Sequence, residues 1–224
     1  MIRAVIFDFD GVLANSEPLH FRAFRDVLAT RGITLSERAY YERYLGFDDV
    51  GAFQAISHDA GAPFDGKTIT ALVAEKAGHL EALEREGSVL FPGARDAVMR
   101  MAAFGPIAIA SGALRGEIER VLVREQLAAM FPVIVAAEDT PSSKPDPAPY
   151  RLAVERLGHH AGITLAPEEC VAVEDSRWGL VSARDAGLHT IGITHSYPAE
   201  ELQSAADSLI AHLDQLDAHL LHRL

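Results

Sequence analysis

The sequence predicts an α/β protein, a doubly wound parallel sheet interrupted after its first strand by an all-helical insert. Three observations carry that expectation. Short runs rich in Val and Ile recur along the chain, apolar without alternation, as in strands covered by helices on both faces. Segments of helical period separate most of these runs. Between residues 16 and 87 the alternation stops, and helical patterns follow one another without a convincing strand.

The first apolar run, residues 4–9, leads straight into Asp10-Gly11. Helical patterns then cover residues 19–30, 36–44, 49–60 and 67–86. The junctions around them, Ala14-Asn15-Ser16 and Gly87-Ser88, are small and polar. The insert is therefore expected to be a domain of its own, residues 16–87, with the core formed by residues 1–15 and 88–224. The core resumes with a helix over 95–103, whose Ala97, Val98 and Met101 share one side, and a strand over 107–110. A helix over 117–127 follows, with Ile118, Val121, Leu122 and Leu127 on one face, then a strand over 133–136. Residues 150–157 read as a helix and 171–173 as a strand. A helix opening near Ser176 stops at Gly187, a common C-terminal signal, before a strand over 190–193. The alanine-rich tail with His212, His219 and His222 reads as a final surface helix. His159-His160 is expected in a loop, and Trp178 and Cys170 as packing residues.

Composition bounds the function. The chain has 224 residues, long enough for a sizeable core, and is 49% apolar and 23% charged. Asp plus Glu is 32 against 20 for Lys plus Arg, a net charge of −12 that argues against nucleic acid and anionic membranes as partners. One cysteine, Cys170, excludes an intrachain disulfide and suits a reducing compartment. No apolar run approaches the ~20 residues of a membrane span. Asp8 and Asp10 interrupt any signal-peptide pattern. A soluble, cytoplasmic, monomeric protein is the expectation.

In doubly wound sheets, ligands sit outside the carboxyl ends of the strands. The polar residues at those ends are Asp8, Asp10 and Gly11 after the first strand, and Ser111 and Gly112 after the second. Lys144, in SSKPDPAPY, follows the third, while Glu174 and Asp175 end the fourth. Each alone has a plain structural reading. Asp-x-Asp-Gly is commonly a strand and its turn, Ser111 and Asp175 or Ser176 are natural helix caps, and Lys144 suits a solvated loop. Their conjunction is stronger than the parts. Up to four carboxylates, a hydroxyl and a lysine converge on one sheet edge, a charge density that is tolerable only with a cation.

The stretches DFDGVLANSE, IASGA, KPDPAPY and VEDS, in that order, resemble the haloacid dehalogenase superfamily. The helical insert is similar to the cap of the subfamily containing β-phosphoglucomutase and phosphoglycolate phosphatase. The resemblance implies a Rossmann-like core and a Mg²⁺-dependent phosphatase that acts on a small phosphate monoester, of sugar or polyol type, through an aspartyl-phosphate. Asp8 would be the nucleophile and Asp10 the acid and base, with Mg²⁺ held by Asp8, the Asp10 carbonyl and Asp175, assisted by Glu174. Lys144 would offset charge on Asp8, and Ser111 and the Gly112 amide would donate to the transferring oxygens beside Gly11. His20 and Lys76 match positions where such caps carry a hinge histidine and a lysine facing the active site, and Arg115, shortly after Ser111, could reach an anionic substrate group, though each also suits an ordinary surface role. Asp10 argues against dehalogenation, since a departing halide needs no proton. The cap loop LGFDDVGAF has no lysine for the imine of a phosphonate hydrolase. A phosphomutase is the alternative. Asp48 and Asp49 weigh against it, because a carboxylate repels a second phosphate; they suit hydroxyl recognition or simple helix capping.

Overall fold

The computed structural model describes residues 1–45 and 47–224, so Gly46 of the loop 46–49 lies outside the described residues. The chain divides into two compact units, Met1–Asn15 with Val89–Leu224, and Ser16–Ser88. Strand β1 (Ala4–Phe7) opens the first unit, and every residue in it is buried.

The second unit is helical. Helix α1 (Glu17–Ala29) starts with a proline in its first turn and buries Phe21, Phe24, Val27 and Leu28. Helix α2 (Glu37–Ala39) is capped by Ser36, whose Oγ accepts from the Ala39 amide. It widens at once into a π-helical turn, Tyr40–Tyr44, so the single helix expected over 36–44 is two pieces. Tyr40 and Tyr44 are both buried there, and their hydroxyls donate to Glu17 at 2.8 Å and Asp59 at 2.7 Å. Helices α3 (Asp49–Asp59) and α4 (Gly66–Glu84) begin at Asp48 and Asp65, whose carboxylates accept from the amides of Gly51 and Thr68. Asp48 is thus a helix cap. The apolar faces of these helices meet in one cluster that includes Phe24, Phe53, Ile56, Ile69 and Leu72.

The first unit resumes with α5 (Ala94–Phe104), β2 (Ile107–Ala110), α6 (Arg115–Arg124), β3 (Val133–Val135) and α7 (Ala148–Ala161). It continues with β4 (Cys170–Glu174), α8 (Arg177–Asp185), β5 (His189–Ile193), α9 (Ala199–Leu202), β6 (Ser208–Ile210) and α10 (Ala218–Leu221). The sheet has six strands, all parallel, in the order β3-β2-β1-β4-β5-β6. Alternate residues of the strands point to opposite faces. Ala4, Ile6, Ala108, Ala110, Val133, Val135, Cys170 and Ala172 pack with Tyr150, Ala153 and Leu157 of α7. Val5, Phe7, Ile107, Ile109, Val171 and Val173 are as deeply buried on the other face. Burial on both sides is why these strands read as continuous apolar runs.

Three expectations about the core need correction. The tail is not a surface helix: residues 208–210 add a sixth strand beside β5, and Leu213, Leu216, Leu220 and Leu221 are buried. A three-residue strand is too short to display a period. His159-His160 lies in the last turn of α7 rather than in a loop. Trp178 is 61% exposed and so is no packing residue, whereas Cys170 is fully buried and its thiol is pushed up to about 12 by that burial. Among the described residues no helix is long and apolar enough to cross a membrane.

Candidate active site

The strand order reverses between β1 and β4, and at such a switch point the chain leaves the sheet in opposite directions, opening a crevice at the carboxyl ends. Pairing brings Phe7 beside Val173, and the Asp8 amide donates to the Val173 carbonyl at 3.0 Å. Asp8 and Glu174 therefore leave neighbouring strands side by side. Lys144 is not solvated: its Nζ donates to Asp8 Oδ1 at 2.8 Å, to Glu174 Oε1 at 2.5 Å and to the Ala110 carbonyl at 2.9 Å. Those three bonds use all three ammonium hydrogens. They knit together the ends of β1, β2 and β4.

Glu174 is completely buried, at 0% exposure. Its Oε1 also accepts from the Tyr150 hydroxyl at 2.7 Å, and its Oε2 accepts from Ser176 Oγ at 3.2 Å. Both its oxygens are engaged by protein groups. The Lys144 ammonium lies 5.0 Å from the centre of the Tyr150 ring, so Tyr150 serves both partners of the ion pair. Burial works against the charge on Lys144, but Asp8 and Glu174 outweigh it and raise its pKa. Burial raises the Glu174 carboxyl, with Lys144 opposing. Asp175 is pushed well up by burial and then by Asp8 and Glu174, with Ser196 and Lys144 opposing.

One oxygen from each of Asp8, Glu174 and Asp175 lies within 4.8 Å of the others. Three carboxylates face one ammonium, and the donors are all hard oxygens. This set fits a hard divalent cation such as Mg²⁺, whose charge would oppose the burial and the neighbouring carboxylates that raise Asp175.

Two glycines make room for these carboxylates. Gly11 has a left-handed backbone, φ +78°, and a Cβ there would fall 1.9 Å from Asp175 Oδ2. At Gly179, whose amide donates to Ser176 Oγ, a Cβ would fall 1.9 Å from the Glu174 carboxyl carbon. Ser111 is buried at the end of β2, and its Oγ accepts from the Ala113 amide at 3.1 Å, leaving the hydroxyl hydrogen to donate elsewhere. Gly112 follows it, with open space where a Cβ would stand. Asp10 is half-buried and forms a bridge with Ala14 across the turn after β1.

Three further candidates have partners of their own. The Arg115 guanidinium is committed to Asp139 at 2.5 Å, the Ile134 carbonyl at 2.9 Å and Glu119, binding α6 to the loop after β3. His20 and Lys76 belong to the helical unit. There Lys76 is only 1% exposed, which excludes a solvated helix lysine. Its Nζ donates to Asp49 at 2.6 Å, lies 2.9 Å from His20 Nδ1 and stands 4.8 Å from the centre of the Phe24 ring. Glu17 is nearby, its pKa raised by burial and lowered again by Tyr40 and Lys76. Sequence reasoning missed Tyr150, Gly179 and His195. Tyr150 ends the motif stretch KPDPAPY and Gly179 follows three residues after VEDS, so nearness to those stretches was the available signal. His195, whose Nδ1 is 2.9 Å from the Gly11 carbonyl, had none.

With this site on the sheet's switch point, the comparisons place the class. The sequence profile of the haloacid dehalogenase-like hydrolases matches residues 2–187, and the chain belongs to that family. It is a phosphoric monoester hydrolase. Among its relatives, hexitol phosphatase B of Escherichia coli (strain K12) is 32% identical over 223 residues, covering 97% of this chain and 95% of the relative. Phosphoglycolate phosphatase of Yersinia pseudotuberculosis is 32% identical over 219 residues, covering 96% and 91%. The crystal structure of CbbY from Rhodobacter sphaeroides in complex with xylulose 1,5-bisphosphate superposes with a TM-score of 0.80 at 28% identity, covering 96% of each chain.

Proposed function

We propose that the protein is a Mg²⁺-dependent phosphatase that hydrolyses a small sugar or polyol monophosphate through an aspartyl-phosphate on Asp8. The observation that carries this reading is the Lys144 ammonium bonded to Asp8 Oδ1 amid three carboxylates with converging oxygens. Bound by Asp8, Asp175 and the Asp10 carbonyl, with Glu174 behind them, Mg²⁺ would neutralise charge on the transferring phosphoryl oxygens. Asp8, held against Lys144, attacks phosphorus as the bond to the leaving oxygen breaks. Asp10 gives that oxygen its proton and then takes one from the water that attacks phosphorus and releases Asp8. The Ser111 hydroxyl and the amide of Gly112 donate to the phosphoryl oxygens. Glu174, with both oxygens engaged, acts as the holder of Lys144 rather than as a direct ligand.

Residues 16–88 are read as a cap that closes during turnover and excludes water from Asp8. Two features support a monophosphate over a mutase bisphosphate. The charge of Lys76 is offset by Asp49, and that of Arg115 by Asp139 and Glu119. Hexitol phosphatase B, as a relative, favours a polyol chain. The test is phosphate release with Mg²⁺ across hexitol phosphates, sugar phosphates, phosphoglycolate and nucleotides, with and without chelator. Mg²⁺-dependent release from a polyol or sugar phosphate is expected. Release that survives verified metal removal overturns the metal assignment. Rapid conversion of β-glucose 1-phosphate to glucose 6-phosphate without free phosphate overturns the hydrolase reading.

A further inference from the structure

The turn after β1 carries Asp10 and Gly11, and its backbone closes on itself: the amides of Leu13 and Ala14 both donate to the Phe9 carbonyl, and that of Gly11 to the Ala14 carbonyl. This turn must sit within narrow limits, because Gly11 lies so close to Asp175 that no Cβ fits between them. What fixes it from outside comes from the loop after β5. His195 Nδ1 lies 2.9 Å from the Gly11 carbonyl oxygen. A carbonyl only accepts, so Nδ1 carries the proton and donates it. The imidazole stacks on Phe91, ring centres 3.9 Å apart and planes at 20°. Phe91 is itself bound to the other end of the turn, its amide donating to the Leu13 carbonyl at 2.9 Å. The ring is held by Phe91 and the donor is aimed by the ring. The adjacent Ser196 hydrogen-bonds the Asp175 side chain.

We propose that His195 is a positioning residue, whose Nδ1–H fixes the Gly11 carbonyl and thereby sets the Asp10–Gly11 turn against Asp175 for metal binding and proton transfer. The inference rests on the proposed Mg²⁺ chemistry for its consequence, and on hydrogen-bond and stacking geometry for its cause. His195 touches no reacting atom. It acts through the backbone, as a small displacement of a catalytic group costs up to about 10²-fold in rate.

Two variants separate donor from ring. His195→Phe keeps an aromatic ring for Phe91 and removes the donor. His195→Asn removes the ring but places an amide nitrogen the same number of bonds from Cα as Nδ1. The full chain is measured for Mg²⁺ affinity by titration calorimetry without substrate, for kcat and KM with p-nitrophenyl phosphate, and for thermal midpoint. For His195→Phe, Mg²⁺ binding is expected to weaken by about fivefold and kcat to fall by about 10–100-fold, with KM within threefold. His195→Asn is expected to recover most of both losses. A Phe variant within twofold of wild type in affinity and kcat overturns the proposal. So does an Asn variant that fares no better than Phe, which makes the ring alone the cause. Mg²⁺ binding that shows the expected pattern in a protein without phosphatase activity supports the positioning role and sinks the phosphatase reading. Wild type that binds no Mg²⁺ overturns both.

Discussion

Each unit of the molecule buries one lysine among carboxylates, and the two arrangements differ in charge. In the helical unit, Lys76 donates to Asp49, with Glu17 nearby and His20 and Phe24 against its ammonium. Asp49 keeps 29% exposure to water, so solvent shares in offsetting its charge. At the sheet edge, Lys144 is shared by Asp8 and the fully buried Glu174, with Asp175 beside them. A carboxylate that water reaches makes little further demand on its surroundings, whereas carboxylates buried together favour a bound cation. The difference marks the Asp8 cluster as the proposed reaction centre, although both present the same residue types.

The largest test of that distinction is at Asp8. Asp8→Asn removes the proposed nucleophile, and kcat should fall by about 10⁴-fold or more with the circular dichroism spectrum unchanged. Turnover near wild type would leave the buried carboxylates without a chemical role.

Replacing the two lysines compares the clusters directly. Lys144→Met strands Glu174 as a buried charge and should cost about 3–5 kcal/mol in denaturant unfolding while abolishing turnover. Lys76→Met leaves Asp49, which water still reaches, and should cost only about 1–2 kcal/mol. Equal losses at the two sites would break the contrast.

At Gly179, alanine should favour the helix by about 1 kcal/mol on propensity alone. Because a Cβ there meets the Glu174 carboxylate, Gly179→Ala should instead destabilise by about 1–3 kcal/mol and lower kcat. A stabilised, fully active variant would show that Glu174 is free to move.

The smallest effect is one of pH. Burial raises the folded pKa of Glu174 and Asp175 above the unfolded values, so without metal the folded state binds more protons between about pH 4 and those raised values. Their contribution to stability is fully present below the unfolded pKa and is lost as pH rises through the folded ones. In chelator the thermal midpoint should therefore gain from these groups as pH falls from neutrality towards about 5, and saturating Mg²⁺ should flatten that slope. A slope identical with and without Mg²⁺ would mean that the ion binds elsewhere.

The sequence by itself determined the class of fold and gathered the candidate site residues, because both are written in local pattern. Five strands with two covered faces leave apolar runs, and a parallel sheet brings the residues after those runs to one edge. Asp8, Lys144 and Glu174 could be collected on that rule alone. Helix boundaries followed where a local signal existed, as at Ser176 and Asp48, whose side chains accept the capping hydrogen bonds. Tertiary structure decided the rest. The strand at 208–210 exists because β5 offers it an edge to pair with, which no three-residue pattern declares. Arg115 and Lys76 carry the charge a substrate anchor needs, and only the fold shows that Asp139 and Asp49 already offset it. His195 lies 184 residues from Gly11, and its role depends on one hydrogen bond and one stacked ring. Pattern reports what a residue's neighbours in the chain require of it; partners distant in sequence are chosen by packing, and packing is settled only when the whole chain has folded.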